Sequence, residues 1–237
     1  MFIDAHQNVM QGDLSELVEL TLSDNVVAQP LLGSLTYNED WEPKKFSDST
    51  FMSTGCSLAP HVHVYDGLRP GGNRFRTWGV GVGLTMSRTT YELLGGWNRF
   101  RAFFGSQERG MGLRALAADI PIICCPNVVL GHEFGSASNP SRPSFPYKPA
   151  YNSTDANHNL YHSYYVVSDD EEWELIKTFL GARASNIEND ESAVLDRQKF
   201  GPLRKLRPGE LVRELGYFWE PLSFCEPPRP IGGFRRP

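Results

Sequence analysis

The stretch that most restricts the fold is GSQERGMGLRALAADIPIICCPNVVLGHEF, residues 105–134. Its first part reads as a helix from about Gln107 to Ala118. Its second part is apolar and rich in β-branched residues, and predicts a strand around Ile120 to Cys125 and a second short strand ending near His132. A helix that runs into buried strands with almost no linker must pack on the sheet it feeds, so helix and sheet share one core.

The rest of the chain alternates in the same way. Phe2 and Ile3 open a strand that carries Asp4 and His6. GDLSELVELTLSD predicts a short amphipathic helix, with Asp13 as N-cap, Glu16 three residues later, and Leu14, Leu17, Val18 and Leu20 at helical spacing. NVVAQPLLGSLTY reads as a strand, and residues 38–76 are polar, punctuated by Gly and Pro, and carry no clear period. In TWGVGVGLTMSR, Trp78, Val80, Val82, Leu84 and Met86 fall on one side of a strand, with glycines among the opposite positions. Such glycines imply that something approaches the backbone closely. TTYELLGGW predicts a helix capped by Thr89 with Glu92 and stopped by Gly95. Residues 135–157 are rich in Pro, Ser and Asn and predict a long surface loop, a class that often acts as a lid. SDDEEWELIKTFLG predicts a helix starting at Ser168, with Trp173, Ile176 and Phe179 or Leu180 inward and Gly181 at its end. From about Ala184 the chain turns Pro- and Arg-rich, which divides it into a domain over 1–183 and a C-terminal extension over 184–237.

A formal charge of −5 supplies no general attraction for nucleic acid or an anionic membrane surface. There is no apolar run of the roughly 18 residues a membrane span needs, and the N-terminus lacks a signal-peptide layout. The expected location is cytoplasmic. Cys56, Cys124, Cys125 and Cys225 are too scattered for a disulfide framework and read as reduced packing residues.

Alternate strand residues share a face, so Asp4 and His6 project together while Ala5 turns away. A carboxylate and an imidazole suit a first-row divalent ion such as Mn²⁺, with Zn²⁺ as an alternative. Taken alone, the pair equally fits a strand end with two solvated polar residues. His132 follows NVVLG at a strand end, where a structural role is the commoner one. Glu108 stands in the first turn of its helix, where the dipole favours the ionised carboxylate and where acidic residues often merely stabilise the helix start. His61 and His63 also share a face, but no third ligand stands near them.

The order FIDAH, short helix, GVGVGLTMSR, YELLGGWN, GSQERGMGLRAL, strand, VVLGHEF resembles the second half of a GT-A-type glycosyltransferase domain over about residues 1–180. It looks most like the family-2-like enzymes and the polypeptide N-acetylgalactosaminyltransferases, which carry an Asp-x-His motif, a GG…ISR…F…LGG(Y/W) segment, a Glu-containing helix start and a GHxF segment. The resemblance implies an α/β fold with a mixed sheet flanked by helices, and sugar transfer from a nucleotide-sugar donor to an acceptor. It implies that Asp4, His6 and His132 hold a divalent metal, Mn²⁺ with Mg²⁺ as the alternative. Glu108 corresponds to the acidic residue that meets donor sugar or acceptor. Gly81, Gly83, Trp97 and Gln107 take the substrate-binding positions, and 135–157 corresponds to the segment that closes over them.

Two departures shape the expectation. Many relatives show Glu-Asp or Gly-Glu-Asn where this chain has SQERG, so a single carboxylate, Glu108, serves as base if the reaction inverts and orients substrate if it retains. The nucleotide-binding half of the family lies upstream of its Asp-x-His strand, and here that strand opens the chain. The expectation is a half domain completed at its N-terminal strand by a partner or by self-association. The alternative is a non-catalytic binding or assembly protein that kept the fold.

Overall fold

The computed structural model describes residues 1, 7–23, 25–37, 43–52, 54–56, 62–64, 74–77, 83–97, 107–132, 153–180 and 182–207. In chain order these form β1 (Gln7–Gln11), α1 (Ser15–Ser23), β2 (Val27–Tyr37), β3 (Pro43–Met52), β4 (Thr54–Cys56), β5 (Val62–Val64), β6 (Phe75–Thr77) and β7 (Thr85–Met86). There follow α2 (Arg88–Leu93), α3 (Gln107–Ala117), β8 (Ile122–His132), α4 (Ser153–Val167), α5 (Asp170–Leu180), a 3₁₀ segment (Ala182–Asn189), α6 (Glu191–Phe200) and a 3₁₀ turn (Gly201–Leu203).

The spine of the sheet is a parallel pair, β2 against β8, running from Val27 opposite Ile122 to Ser34 opposite His132. Each outer edge of this pair is shared by two antiparallel pieces. On β2, β7 pairs with Val27 and Ala28 while β3 takes the far end from Leu32. On β8, β6 pairs with Ile122 to Cys124 and β1 with Val129 to His132. The sheet is therefore mixed, and β4 and β5 form a separate two-stranded ribbon.

The expected pair of strands between Ile120 and His132 is one strand with an irregularity. Opposite consecutive Pro30 and Leu31 stand Cys125 and Val129, so residues 126–128 bulge out of the β2 ladder. Pro126 lies in the bulge, and Pro30 lies between the β7- and β3-paired stretches of β2. Prolines, which lack a donor, are tolerated at such irregularities.

Helices cover both faces. Leu17 and Leu20 of α1 pack with Val26, Ala28, Cys125 and Val128. Val27 and Ile122, which alternate with these, join the larger core with α3, α4 and α5, including Leu116, Tyr164 and Trp173. α1 starts where expected, with the Asp13 carboxylate accepting from the Ser15 N–H at 2.8 Å. Its buried stripe is Leu17, Leu20 and Thr21, whereas Val18 is 40% exposed, because α1 meets the sheet along a narrower face than its apolar content predicts. The cap of α2 is Ser87, two residues earlier than Thr89: its hydroxyl accepts from the Thr90 N–H at 3.0 Å. Asp169 rather than Ser168 starts α5, accepting from the Glu172 N–H at 2.8 Å. The Ser168 hydroxyl instead donates to the Tyr164 carbonyl. Of the predicted loop over 135–157, residues 135–152 lie outside the described residues, and the last five open α4 from Ser153, a helix whose buried face the surrounding polar residues concealed.

Residues 182–207 pack onto the ends of α3 and α4. Ala184, Ile187, Ala193 and Phe200 lie in the larger core. Arg197 and Arg204 donate to the carbonyls of Ser168 and Val167, at the C-terminal end of α4. The N–H groups of Lys205 and Leu206 both reach the Ala117 carbonyl at the end of α3. Helix C-termini expose carbonyls that need donors, and cations are favoured there.

Asp190 starts α6. Its carboxylate accepts from the Ser192 N–H (2.9 Å), the Ala193 N–H (3.2 Å) and the Ser192 hydroxyl (2.6 Å), and lies 3.1 Å from His158 Nε2 on α4. Burial would raise this carboxyl, but the hydrogen bonds from Ser192 and Ala193 and the neighbouring His158 outweigh it and hold it below the ordinary aspartate value. Asp190→Ala should cost about 1–2 kcal/mol at neutral pH, measured by urea unfolding. Because the native carboxyl sits below its unfolded value of about 3.9, this contribution is complete above that pH and is lost as pH falls through the native value. The gap between wild type and D190A should therefore narrow by pH ~3; an equal gap at both pH values would contradict the assignment.

Candidate functional site

β8 ends at His132, and the antiparallel register sets Gln7 of β1 directly opposite it, with Ser34 of β2 on its other side. In sequence, Gln7 is the residue after His6. Asp4, His6 and Gly81 lie outside the described residues, and for His132 the described part is its backbone in β8. Among the described residues no three His, Cys, Asp or Glu side chains gather as a metal cluster.

Gly83 is described, and its place explains its identity. Its φ is +90°, and a Cβ there would stand 2.8 Å from Leu130 Cδ1 and 2.8 Å from Pro30 Cγ. The close approach expected for this glycine is thus made by β2 and β8 themselves. It seats Leu84, Thr85 and Met86, all buried, on the spine of the sheet.

α2 ends in a tight turn in which Gly95 and Gly96 both take positive φ, +82° and +71°. The Trp97 that follows is half-buried against the larger core. Its N–H donates to the Tyr91 hydroxyl at 3.2 Å, and the two rings meet edge to face with centroids 6.4 Å apart. From α3, Arg114 reaches the same turn: Nη1 donates to the Leu94 carbonyl at 2.8 Å and Nη2 to the Gly96 carbonyl. Arg114 is 3% exposed. Burial lowers its pKa to about 10, so it remains cationic at neutral pH.

Gln107 and Glu108 occupy the first turn of α3, both half-buried. The helix dipole favours negative charge at that end, which suits an ionised Glu108. The Gln107 side-chain oxygen is enclosed and accepts no hydrogen bond among the described residues. Beyond this turn α3 sinks into the core: Met111, Leu113, Ala115, Leu116 and Ala117 are fully buried. Cys124 and Cys125 are buried, and burial pushes the Cys125 thiol up to about 11, which leaves it protonated and inert at neutral pH.

Of the residues singled out in the sequence, the structure therefore carries Trp97 next to a turn held by α3, and Gln107 with Glu108 at the start of that helix. Arg114 and Tyr91, which fix the turn, escaped notice. The available signal was one arginine in an Ala-, Gly- and Leu-rich helical stretch, where a charge must be either solvated or specifically paired.

No protein-family model matches the chain, and no curated protein matches it in sequence. Among solved structures, a crystal structure of GalNAc-T7 with UDP, GalNAc and Mn²⁺ superposes with a TM-score of 0.59 at 15% identity, covering 84% of this chain and 38% of that one. The chain thus spans well under half the length of this structural relative. Identity this low speaks to fold alone: the chain is an α/β protein, a mixed sheet flanked by helices, whose fold resembles a glycosyltransferase domain.

Proposed function

We propose that the chain is a glycosyltransferase, or one part of a split one, moving a sugar from a nucleotide-sugar donor to an acceptor with a divalent metal. The observation that carries this reading is the fold likeness over 84% of the chain to a glycosyltransferase crystallised with UDP, GalNAc and Mn²⁺. The β1–β8 register sets His132 opposite Gln7 and so brings the end of β8 beside the start of β1. In this reading residues 1–183 supply the site and the following extension supports it.

The residues fit such a metal. Asp4, His6 and His132 form a mixed carboxylate and imidazole donor set that suits Mn²⁺, with Mg²⁺ as the alternative. When bound, a divalent ion supplies positive charge for the departing diphosphate. Gln107 offers its enclosed oxygen to a sugar hydroxyl, which would recover the roughly 1–3 kcal/mol that an unsatisfied buried acceptor costs. Trp97 lends an aromatic edge to the sugar pocket alongside the segment that includes Gly81, whereas Gly83 packs on Pro30 and Leu130. Glu108, kept ionised at the helix start, takes the acceptor proton if the reaction inverts and orients substrate if it retains.

Two measurements test this. Mn²⁺ and a panel of UDP-sugars are titrated by calorimetry into the full chain. Mn²⁺-dependent binding is expected, lost in Asp4→Ala, His6→Ala and His132→Ala. Absence of any nucleotide-sugar binding would leave the non-catalytic assembly role as the better account. Separately, Glu108→Gln should lower turnover by about 10²- to 10⁴-fold with the urea midpoint nearly unchanged; lost stability with retained turnover would make Glu108 a helix-start residue only.

A further inference from the structure

We propose that Arg114 is a positioning residue: its guanidinium clamps the Gly95–Trp97 turn to the helix that carries Gln107 and Glu108. The significance of the clamp for sugar transfer rests on the function proposed above; the clamp itself stands on geometry.

A buried guanidinium needs a reason. Taking it out of water costs several kcal/mol in order of magnitude, and an apolar side chain of similar volume is often no less stabilising at such a place. Arg114 also stands in a helix segment whose neighbours are fully buried and apolar. What an apolar residue cannot do is join two separate pieces of backbone. Arg114 donates forward to the carbonyls of Leu94 and Gly96, and its Nε donates to the Gly110 carbonyl one turn back on α3, at 3.3 Å. The planar fork of guanidinium donors fixes distance and direction together, which an ammonium cannot.

The acceptors are the backbone of the turn that leads into Trp97. Both its glycines have left-handed φ, and α2 supplies a second hold through the hydrogen bond from the Trp97 N–H to Tyr91. The turn is thereby tied to α2 on one side and α3 on the other. Trp97 and the Gln107–Glu108 pair come from opposite ends of a segment outside the described residues. Arg114 is the connection that sets the Trp97 turn against the helix bearing Gln107 and Glu108.

Asp196 favours the protonated form of Arg114 by Coulomb attraction, as does Tyr91. Its carboxylate is also 3.0 Å from Nε2 of fully buried His162 on α4. α6 thus places one carboxylate against the central helix, and the segment read as an extension becomes part of the scaffold behind the turn.

The test uses the full chain grown with 5-fluorotryptophan, followed by fluorine NMR, with the Trp97 and Trp173 resonances identified from Trp97→Phe and Trp173→Phe. Arg114→Met and Arg114→Lys should shift or broaden the Trp97 resonance while that of Trp173 stays put, with Lys the milder change. In the complete enzyme, Arg114→Lys should raise KM for the nucleotide-sugar about tenfold, a loss of about 1.4 kcal/mol in binding. An unshifted Trp97 in folded R114K would overturn the clamp. Should R114M fail to fold, R114K still decides. If Trp97 moves in R114K but wild type binds no nucleotide-sugar, the clamp stands and the glycosyl-transfer reading falls.

Discussion

The parallel pairing of β2 with β8 is the constraint on which the rest of the structure hangs. Val27, Ala28, Leu31 and Leu32 on one strand and Ile122, Cys124, Cys125, Val129 and Leu130 on the other are all 1% exposed or less. A parallel pair buried on both faces cannot slip by one residue without exchanging its two apolar sets. That rigidity places β1 and β7 at opposite ends of the spine. It also fixes β8 so that His132 emerges beside β1, while α3, which leads into β8, is held against the sheet from below.

Electrostatics secures the layer behind the sheet. The ends of α3 and α4 meet the segment 182–207 through Arg197, Arg204 and the N–H groups of Lys205 and Leu206, so exposed helix carbonyls find donors from a distant part of the chain. Arg207 extends this to Asp169 and Glu171 at the start of α5, each at 2.7 Å. Such exposed pairs contribute little individually. Arg114 is a buried cation that instead bonds backbone, tying α3 to the turn before Trp97.

Much of the fold was legible because local signals agreed with the tertiary environment. α1, β2 and α3 carried consistent caps, periodicity and apolar content, and they form close to where expected. The misplacements are ones of competition. Ser87 and Thr89 are both capable caps for α2, and the choice went to Ser87, whose partner Thr90 is also held by the distant Asn25. α4 was missed because His158, Asn159, His162 and Ser163 break its apolar pattern; His158 and His162 are paired to carboxylates of α6 and its cap, which no local window contains.

By itself, the sequence determined the helix and strand types, the alternation that makes an α/β fold, and the residue types able to do chemistry at Glu108, Gln107, Trp97 and the Asp-x-His segment. Those properties follow from neighbours within a few positions: a dipole, a cap, a period of two or 3.6. Only the tertiary structure decided that Gly83 yields its side-chain space to Pro30 and Leu130, that β8 runs as one strand across a proline bulge, and that Arg114 binds the backbone before Trp97. It also decided that a Pro- and Arg-rich stretch holds the ends of α3 and α4. Each of these depends on groups far apart in the chain, brought together by burial, and burying a charge or a donor obliges it to find partners that the local sequence does not name.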